Sequence, residues 1–356
     1  MLQLLAIQPN TDSLLVLSKF MANPSRRYLF GATPYAAGII STTTIQGVID
    51  DHLKATSFFG VPVVRMTEAP KDALVVATII GRPHTASQNL REAKLEHCDY
   101  FTFHRHSGLE LPRARFWTGF GEDASVHIAD LELVRDRLAD DPSRELLNSI
   151  LNFRLSANTD WIKSFRENQA NQYFEPFLHL MPSNESFVDV GCFDGQTSAD
   201  FIARCPEFNA VHIFEPDPCN FSLVQKRFEG KERVRYYPVG LSDAKRAERF
   251  SSSGSTSGAR VDGELEIQVD TLDSFGIDRV SFLKMDIEGS ELAAIAGARE
   301  TILRCHPRLA IAAYHHPSDL WRIPQEVLAI RDDYDLFLRH YTEGVTETVI
   351  FFLPQH

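Results

Sequence analysis

The sequence predicts an α/β protein of two domains, each built on a mostly parallel sheet. Short apolar runs alternate with helix-favouring stretches along the chain, most cleanly from Phe187 onward. Between Glu122 and Asp160 the texture turns charged and helix-favouring, which marks a junction. The last two apolar runs, DLFLRHY and ETVIFFL, are joined by a short turn at Glu343-Gly344, so the second sheet ends in an antiparallel hairpin. A length of 356 residues suits about two ordinary domains. The expected boundaries are 1–120 for the N-terminal domain, 121–165 for a helical connector and 166–356 for the second domain.

In the first domain, Leu14, Leu15, Leu17 and Phe20 recur near helical spacing and predict an amphipathic helix over 11–22. Strands are expected at Arg27 to Phe30, at Gln46 to Ile49, in FFGVPVVRM and in DALVVATII. AGIISTTT opens a helix or a loop, Ala86 to His97 reads as a helix, and Tyr100 to Phe103 as one more strand. The connector is helical and broken only at Asp141-Pro142. In the second domain, strands fall in FVDVG, VHIFEP, VRYYPVGL, ELEIQV, VSFLKMD and LAIAAYH before the final hairpin. Helices fall at Thr197 to Ala203, Asn220 to Phe228, Ser290 to Leu303 and around Gln325 to Asp332. SSSGSTSG, 251–258, is a flexible loop by composition.

A formal charge of −12, with no dense run of Lys or Arg, argues against nucleic acid or an anionic membrane as partner. The five cysteines lack CxxC or Cys/His metal spacing, which argues against a disulfide framework and a structural zinc site and fits a reducing compartment. The start, MLQLLAIQPNTDSLLVLSKF, has no basic n-region, and no apolar run reaches about 20 residues, so a cytoplasmic protein without a membrane span is expected.

VDVGCFDGQTS couples a strand to a helix through a loop holding Gly191 and Gly195, with Asp189 just before the turn. Such a loop lets a ligand approach the backbone and offers helix N–H groups to an anion. The third glycine of a dinucleotide fingerprint is missing, which weakens a pyrophosphate reading. Glu215, in FEPDP at the end of the next strand, stands where a carboxylate accepts both hydroxyls of a ribose, so a nucleoside-containing cofactor is expected.

VDVGCFDGQTS, FEPDP, VGLSD, VDTLDSF and FLKMDIEGSELAAIAGA occur in the order seen in the FkbM family of S-adenosylmethionine-dependent methyltransferases. YHHPSDLWRIP and LRHYTEGVTETV are similar to a branch of it, and the resemblance covers roughly 165–354. It implies a seven-stranded class I methyltransferase sheet and S-adenosylmethionine as cofactor. By similarity, Asp189, Gly191 and Gly195, with Asp194 and Thr197 of the same loop and helix start, shape the pocket around the methionine part of the cofactor. Glu215 holds the ribose diol, Asp217, Leu241 and Ser242 lie near the adenine, and Asp286 of KMDIEG faces both the sulfonium and the acceptor.

Methyl transfer to oxygen is an in-line displacement that needs alignment of the two reactants and a destination for a proton. His315, His316 and His340 lie at or just past strand ends, where ligands bind in open α/β sheets. His315 is the first choice as general base, Asp286 the second, and His340 a further candidate; capping of backbone groups is the other role open to these histidines. A divalent ion at Asp286, with Asp319 or Glu288 as second carboxylate, is an option, but no metal is assigned. Tyr173-Phe174 in NQYFEPF covers the cofactor or packs in the core.

The first domain resembles small Rossmann-like domains of sugar-modifying enzymes, with YLFGATPYAAG in place of the glycine loop and Asp50-Asp51 ending the second strand. It is either a degenerate docking domain or a nucleotide or nucleotide-sugar site. His84, His97, His104 and His106 have no Cys partner or HExxH spacing and are read as capping or surface residues. The expected function is O-methylation of a hydroxyl on a saccharide or glycosylated metabolite. The alternatives are a protein that binds nucleotide-sugar and S-adenosylmethionine without transfer, and a nicotinamide-dependent oxidoreductase. A homo-oligomer is left open.

Overall fold

The computed structural model describes residues 8–251, 258–259 and 265–355, so the SSSGSTSG stretch falls almost wholly outside the described residues. The chain divides into two compact units. One comprises Met1–Ile128, Glu145–Gln169 and His340–Thr346; the other comprises Ala129–Arg144, Ala170–Arg339 and Glu347–His356.

In the first unit, β1 (Arg27–Phe30), β2 (Gly47–Ile49), β3 (Ser57–Phe58), β4 (Val61–Val64), β5 (Leu74–Ala77) and β6 (Glu96–Asp99) form a sheet of order β3-β4-β2-β1-β5-β6. Only the short β3–β4 pair is antiparallel. Leu29, Val48 and Val76 meet across the three central strands and are fully buried, as expected of a parallel sheet covered on both faces. The predicted first helix is present as Thr11–Ala22; Asn10 caps it by accepting from the Ser13 amide, and it buries Leu17 and Phe20.

Tyr100 to Phe103, expected as a strand, opens the helix Tyr100–His106 instead. Asp99 ends β6, and its side chain accepts the Thr102 amide at 2.8 Å, a cap that turns the chain into a helix. Tyr100, Phe101, Thr102 and Phe103 are all buried, so the segment shows no helical periodicity to read. The preceding helix is Pro83–Glu92 and stops short of the expected 86–97, because Glu96–Asp99 pairs with β5. Asp141-Pro142 starts the helix Asp141–Ser156 rather than breaking one; a proline in the first turn costs no helical hydrogen bond.

The second unit holds β7 (Ser186–Val190), β8 (Ala210–Phe214), β9 (Val234–Tyr237), β10 (Gly240–Leu241), β11 (Arg246–Ser251), β12 (Gly258–Ala259), β13 (Leu265–Asp270), β14 (Phe282–Met285), β15 (Arg308–Ala312), β16 (Tyr334–His340) and β17 (Thr348–Pro354). Seven of these form a sheet of order β16-β17-β15-β14-β7-β8-β9, in which β17 runs antiparallel to β15 and closes the expected terminal hairpin with β16. A smaller sheet has the order β10-β13-β11-β12. VRYYPVGL, read as one strand, therefore splits between the two sheets at Pro238, which has no amide to donate to a ladder. The helix expected over 290–303 is two, Glu291–Ala296 and Arg299–Cys305. At the break, a Cβ on Gly297 would lie 1.9 Å from the Ser242 carbonyl oxygen, so the small sheet reaches in where only glycine fits. Phe187 stacks between Phe201 and Phe282, at 4.5 and 5.0 Å, and anchors β7 in the core. No helix among the described residues is long and apolar enough to cross a membrane.

Candidate active site

The second unit's distinctive side chains gather at the C-terminal ends of β7, β8, β14 and β15. Asp189 on β7 is completely buried; it accepts a hydrogen bond from Ser198 Oγ at 2.7 Å and lies 3.2 Å from Lys284 Nζ on the adjacent β14. Lys284 also donates to the Gly191 carbonyl at 2.6 Å. Burial pulls the Lys284 pKa down, but Asp189 and Asp286 outweigh it and hold the ammonium above its usual range. The lysine thereby fixes the underside of the loop. Gly191 has φ +75°, and a Cβ there would fall 1.9 Å from the Asp286 carbonyl oxygen, so glycine is required on both counts.

Glu215, just past β8, is 4% exposed. Oε2 accepts the Phe193 amide at 3.0 Å and Oε1 the Asp217 amide at 2.9 Å. Burial pushes its pKa up to about 7 despite these bonds. An ionised carboxylate has about four acceptor positions, so two remain for a diol. Asp217 is buried as the N-cap of Pro218–Arg227, accepting from the Cys219 and Asn220 amides. Asp194 pairs with Arg227 at 2.8 Å and accepts the Gln196 amide, while Gly195 caps the helix Gln196–Arg204 and Thr197 sits in its first turn. Leu241 and Ser242 are buried at the end of β10, with Ser242 Oγ accepting from Arg246 at 2.8 Å.

Asp286 follows β14. Oδ2 accepts the Tyr173 hydroxyl at 2.6 Å, and Oδ1 faces His315 Nε2 at 3.4 Å. His315, beyond β15, is sealed from solvent; Nδ1 lies 2.9 Å from Glu291 Oε1, and Glu288 Oε2 is 3.9 Å from Nε2. Burial alone would lower the His315 pKa, but Glu291, Asp286 and Glu288 carry it up to about 10. A histidine so placed already holds its proton near neutral pH, which is at odds with the general-base role expected for it. Asp319 accepts the His316 amide at 2.7 Å, and burial raises its carboxyl pKa. Glu347 accepts the Tyr314 hydroxyl at 3.1 Å, and burial pushes its pKa up to about 7.

His340 belongs to the first unit, where its ring lies 4.3 Å from that of Phe165 and burial lowers its pKa to about 4. In that unit's own β1 loop, the Ala32 amide is spent on Asp50 Oδ2 and the Ala36 amide on Thr33 Oγ1. Asp50 Oδ1 in turn takes the His52 and Leu53 amides, so this acid and two of the loop's amides are engaged within the unit itself. His97 bonds Ser87 and the Leu95 carbonyl, and His84 the Ile162 carbonyl. Lys284 and Glu291 were not singled out by the sequence reading. The signal for Lys284 was a lysine inside an otherwise apolar strand, VSFLKMD; for Glu291 it was the close series of acids in MDIEGSE.

Residues 189–341 match the family model of the methyltransferase FkbM domain. The chain is 24% identical over 143 residues to the 2-O-methyltransferase NoeI of Sinorhizobium fredii, a match that covers 33% of this chain and 58% of that protein. This chain thus spans little more than half the length of that curated relative. The crystal structure of methyltransferase FkbM from Methylobacillus flagellatus superposes with a TM-score of 0.79 at 25% identity, over 98% of this chain and 94% of that one. The loop on β7, the acid after β8 and the KMDIEG segment after β14 all lie within the matched span, and the sheet has the seven strands and terminal antiparallel hairpin expected of the resemblance. Residues 189–341 are thus similar to the methyltransferase FkbM domain, and the fold is shared with the Methylobacillus protein over nearly the whole chain.

Proposed function

We propose that this protein transfers a methyl group from S-adenosylmethionine to a hydroxyl oxygen of a saccharide or similar hydroxyl-rich acceptor. The observation that carries the reading is the convergence of Gly191, Glu215 and Asp286 at neighbouring strand ends, with the glycine's bare Cα against the Asp286 carbonyl. When bound, the cofactor supplies a methyl carbon made electrophilic by its sulfonium. Glu215 accepts the ribose hydroxyls on its two remaining acceptor positions, and Gly191 leaves backbone room beside them. Asp217, Asp194 and Ser242 hold the surrounding loops through caps and ion pairs. Asp286 is the carboxylate that the acceptor hydroxyl meets: its side chain keeps 20% exposure, like Glu288 at 19%, against 1% for Glu291 and His315, and it directly follows the strand beside the Gly191 loop. Tyr173 and His315 fix its orientation, and the hydroxyl's proton passes into this cluster. His315 serves as charge partner of Asp286 rather than as base. Transfer to oxygen is supported by the 2-O-methyltransferase relative; the acceptor class rests on the cluster's hydrogen-bond acceptors and on the first domain's likeness to those of sugar-modifying enzymes.

Calorimetric titration with S-adenosylhomocysteine tests the cofactor site. Binding by the wild type that vanishes in Glu215→Ala supports it, and no binding by the wild type overturns the reading. Labelled methyl donor offered with a panel of saccharides then tests the acceptor class; transfer to non-hydroxyl acceptors alone would overturn that part.

A further inference from the structure

The cluster at the ends of β14 and β15 gathers three carboxylates around His315. His315 Nε2 faces Asp286 Oδ1 at 3.4 Å and Glu288 Oε2 at 3.9 Å, while Nδ1, across the ring, lies 2.9 Å from Glu291 Oε1. Donor atoms that share one small cation at bonds of about 2.1 Å sit about 3.0–3.4 Å from one another. Asp286 and His315 already have that separation, and Glu288 is half an ångström short of it. A carboxylate on the far ring nitrogen is also the arrangement that orients a metal-binding imidazole and makes it more basic. A second observation is independent of this spacing. Glu291 is 1% exposed, yet its Oε2 accepts no hydrogen bond among the described residues. Donor atoms of Asp286, Glu291 and His315 all lie within 4.8 Å of one another.

We propose that Asp286, Glu288 and His315 bind one divalent cation, with Glu291 as the residue that positions His315. Two carboxylates and an imidazole suit Mn²⁺ or a similar octahedral ion better than Ca²⁺, which takes oxygen ligands alone. Three protein ligands leave positions open for hydroxyls of the acceptor. The inference rests on the methyl-transfer reading and deepens it. Seating the ion displaces the His315 Nε2 proton to bulk water and makes Asp286 a ligand, and a coordinated hydroxyl would lose its own proton to bulk water more readily than a free one.

The test uses the full chain, stripped of metal, and Mn²⁺ as the probe. Titration followed by the free-ion paramagnetic resonance signal should show one Mn²⁺ bound per chain, and pulsed measurements should show coupling to an imidazole nitrogen. Binding should be lost in Asp286→Asn and His315→Gln, and weakened about 10-fold or more in Glu291→Gln. An undiminished free-ion signal, or a bound ion without nitrogen coupling, overturns the proposal without recourse to any variant. S-adenosylhomocysteine binding, measured on the same samples, separates the two readings. Cofactor binding without Mn²⁺ binding sinks the ion site alone, and Mn²⁺ binding without cofactor binding sinks the methyl-transfer reading.

Discussion

Lys284 Nζ lies 3.2 Å from Asp189 Oδ1 with both side chains sealed from solvent, and the same ammonium donates to the carbonyl of Gly191. The pair therefore ties two neighbouring strands to the loop that each strand end helps to shape. A buried pair of this kind contributes little beyond an apolar replacement of equal volume, but breaking it leaves one charge stranded. Lys284→Met should destabilise the protein by about 3–5 kcal/mol, and Asp189→Leu combined with Lys284→Met should recover most of that loss. Chemical denaturation midpoints of the single and double variants check both. A single variant as stable as the wild type would show that Asp189 is not left alone by the change.

Glu215 predicts a pH dependence of cofactor binding. Its folded pKa of about 7 is raised by burial, so it is mostly protonated below that value and ionised above it. A diol donates to the ionised form, and S-adenosylhomocysteine affinity should climb from pH 6 to 8 and then level off, with up to about a tenfold change per unit of pH well below the pKa. Glu215→Gln should bind weakly with a flat profile. The same shift has the opposite sign for folding. A carboxyl with its pKa raised in the folded state favours the fold at low pH, and that contribution is lost as pH rises from the ordinary carboxyl range through about 7. Ligand-free melting temperatures of Glu215→Gln should therefore gain on the wild type over that window.

The loop glycines separate backbone strain from steric need. Gly191 and Gly230 both have positive φ, +75° and +74°, but a Cβ on Gly230 meets nothing within 4 Å while one on Gly191 meets the Asp286 carbonyl. Gly230→Ala should cost about 1–2 kcal/mol and leave S-adenosylhomocysteine binding intact. Gly191→Ala should cost more and abolish binding, because β7 and β14 cannot both keep their places. Equal effects of the two substitutions in calorimetry and thermal melting would show that the close approach is not needed.

What the sequence revealed depended on how local the signal was. The placing of Gly191 and Gly195 in a strand-to-helix loop and of Glu215 after the next strand could be read because short-range chain geometry sets both. The final hairpin could be read because its turn lies between two apolar runs. The Asp189–Lys284 pair joins residues far apart in the chain, and nothing near either one names the other. His315 was legible as a histidine at a strand end, but its charge state depends on Glu291, Asp286 and Glu288 closing around it, which only the packed structure brings together. The helix at Tyr100–His106 was missed for a related reason: burial on every side erased the periodicity that distinguishes helix from strand.

Tyr173 offers a test of how Asp286 is held. The hydroxyl is buried, donates to Asp286 Oδ2 at 2.6 Å and accepts from Gln172 Nε2 at 2.9 Å. Burial and the nearby Asp286 and Glu347 carboxylates raise its pKa well above the ordinary tyrosine range, so it remains a donor across the working pH range. Tyr173→Phe removes that donor while keeping the ring that lies over the Lys284 ammonium. A hydrogen bond to a charged group is worth about 1.5–3 kcal/mol. If Asp286 must keep one orientation toward the acceptor, kcat should fall about 10- to 100-fold. S-adenosylhomocysteine affinity should stay near that of the wild type, because the contacts of Glu215 and Gly191 are untouched. A loss of cofactor affinity with kcat preserved would instead make Tyr173 a wall of the cofactor pocket, and an unchanged enzyme would show that Asp286 finds its orientation from His315 alone.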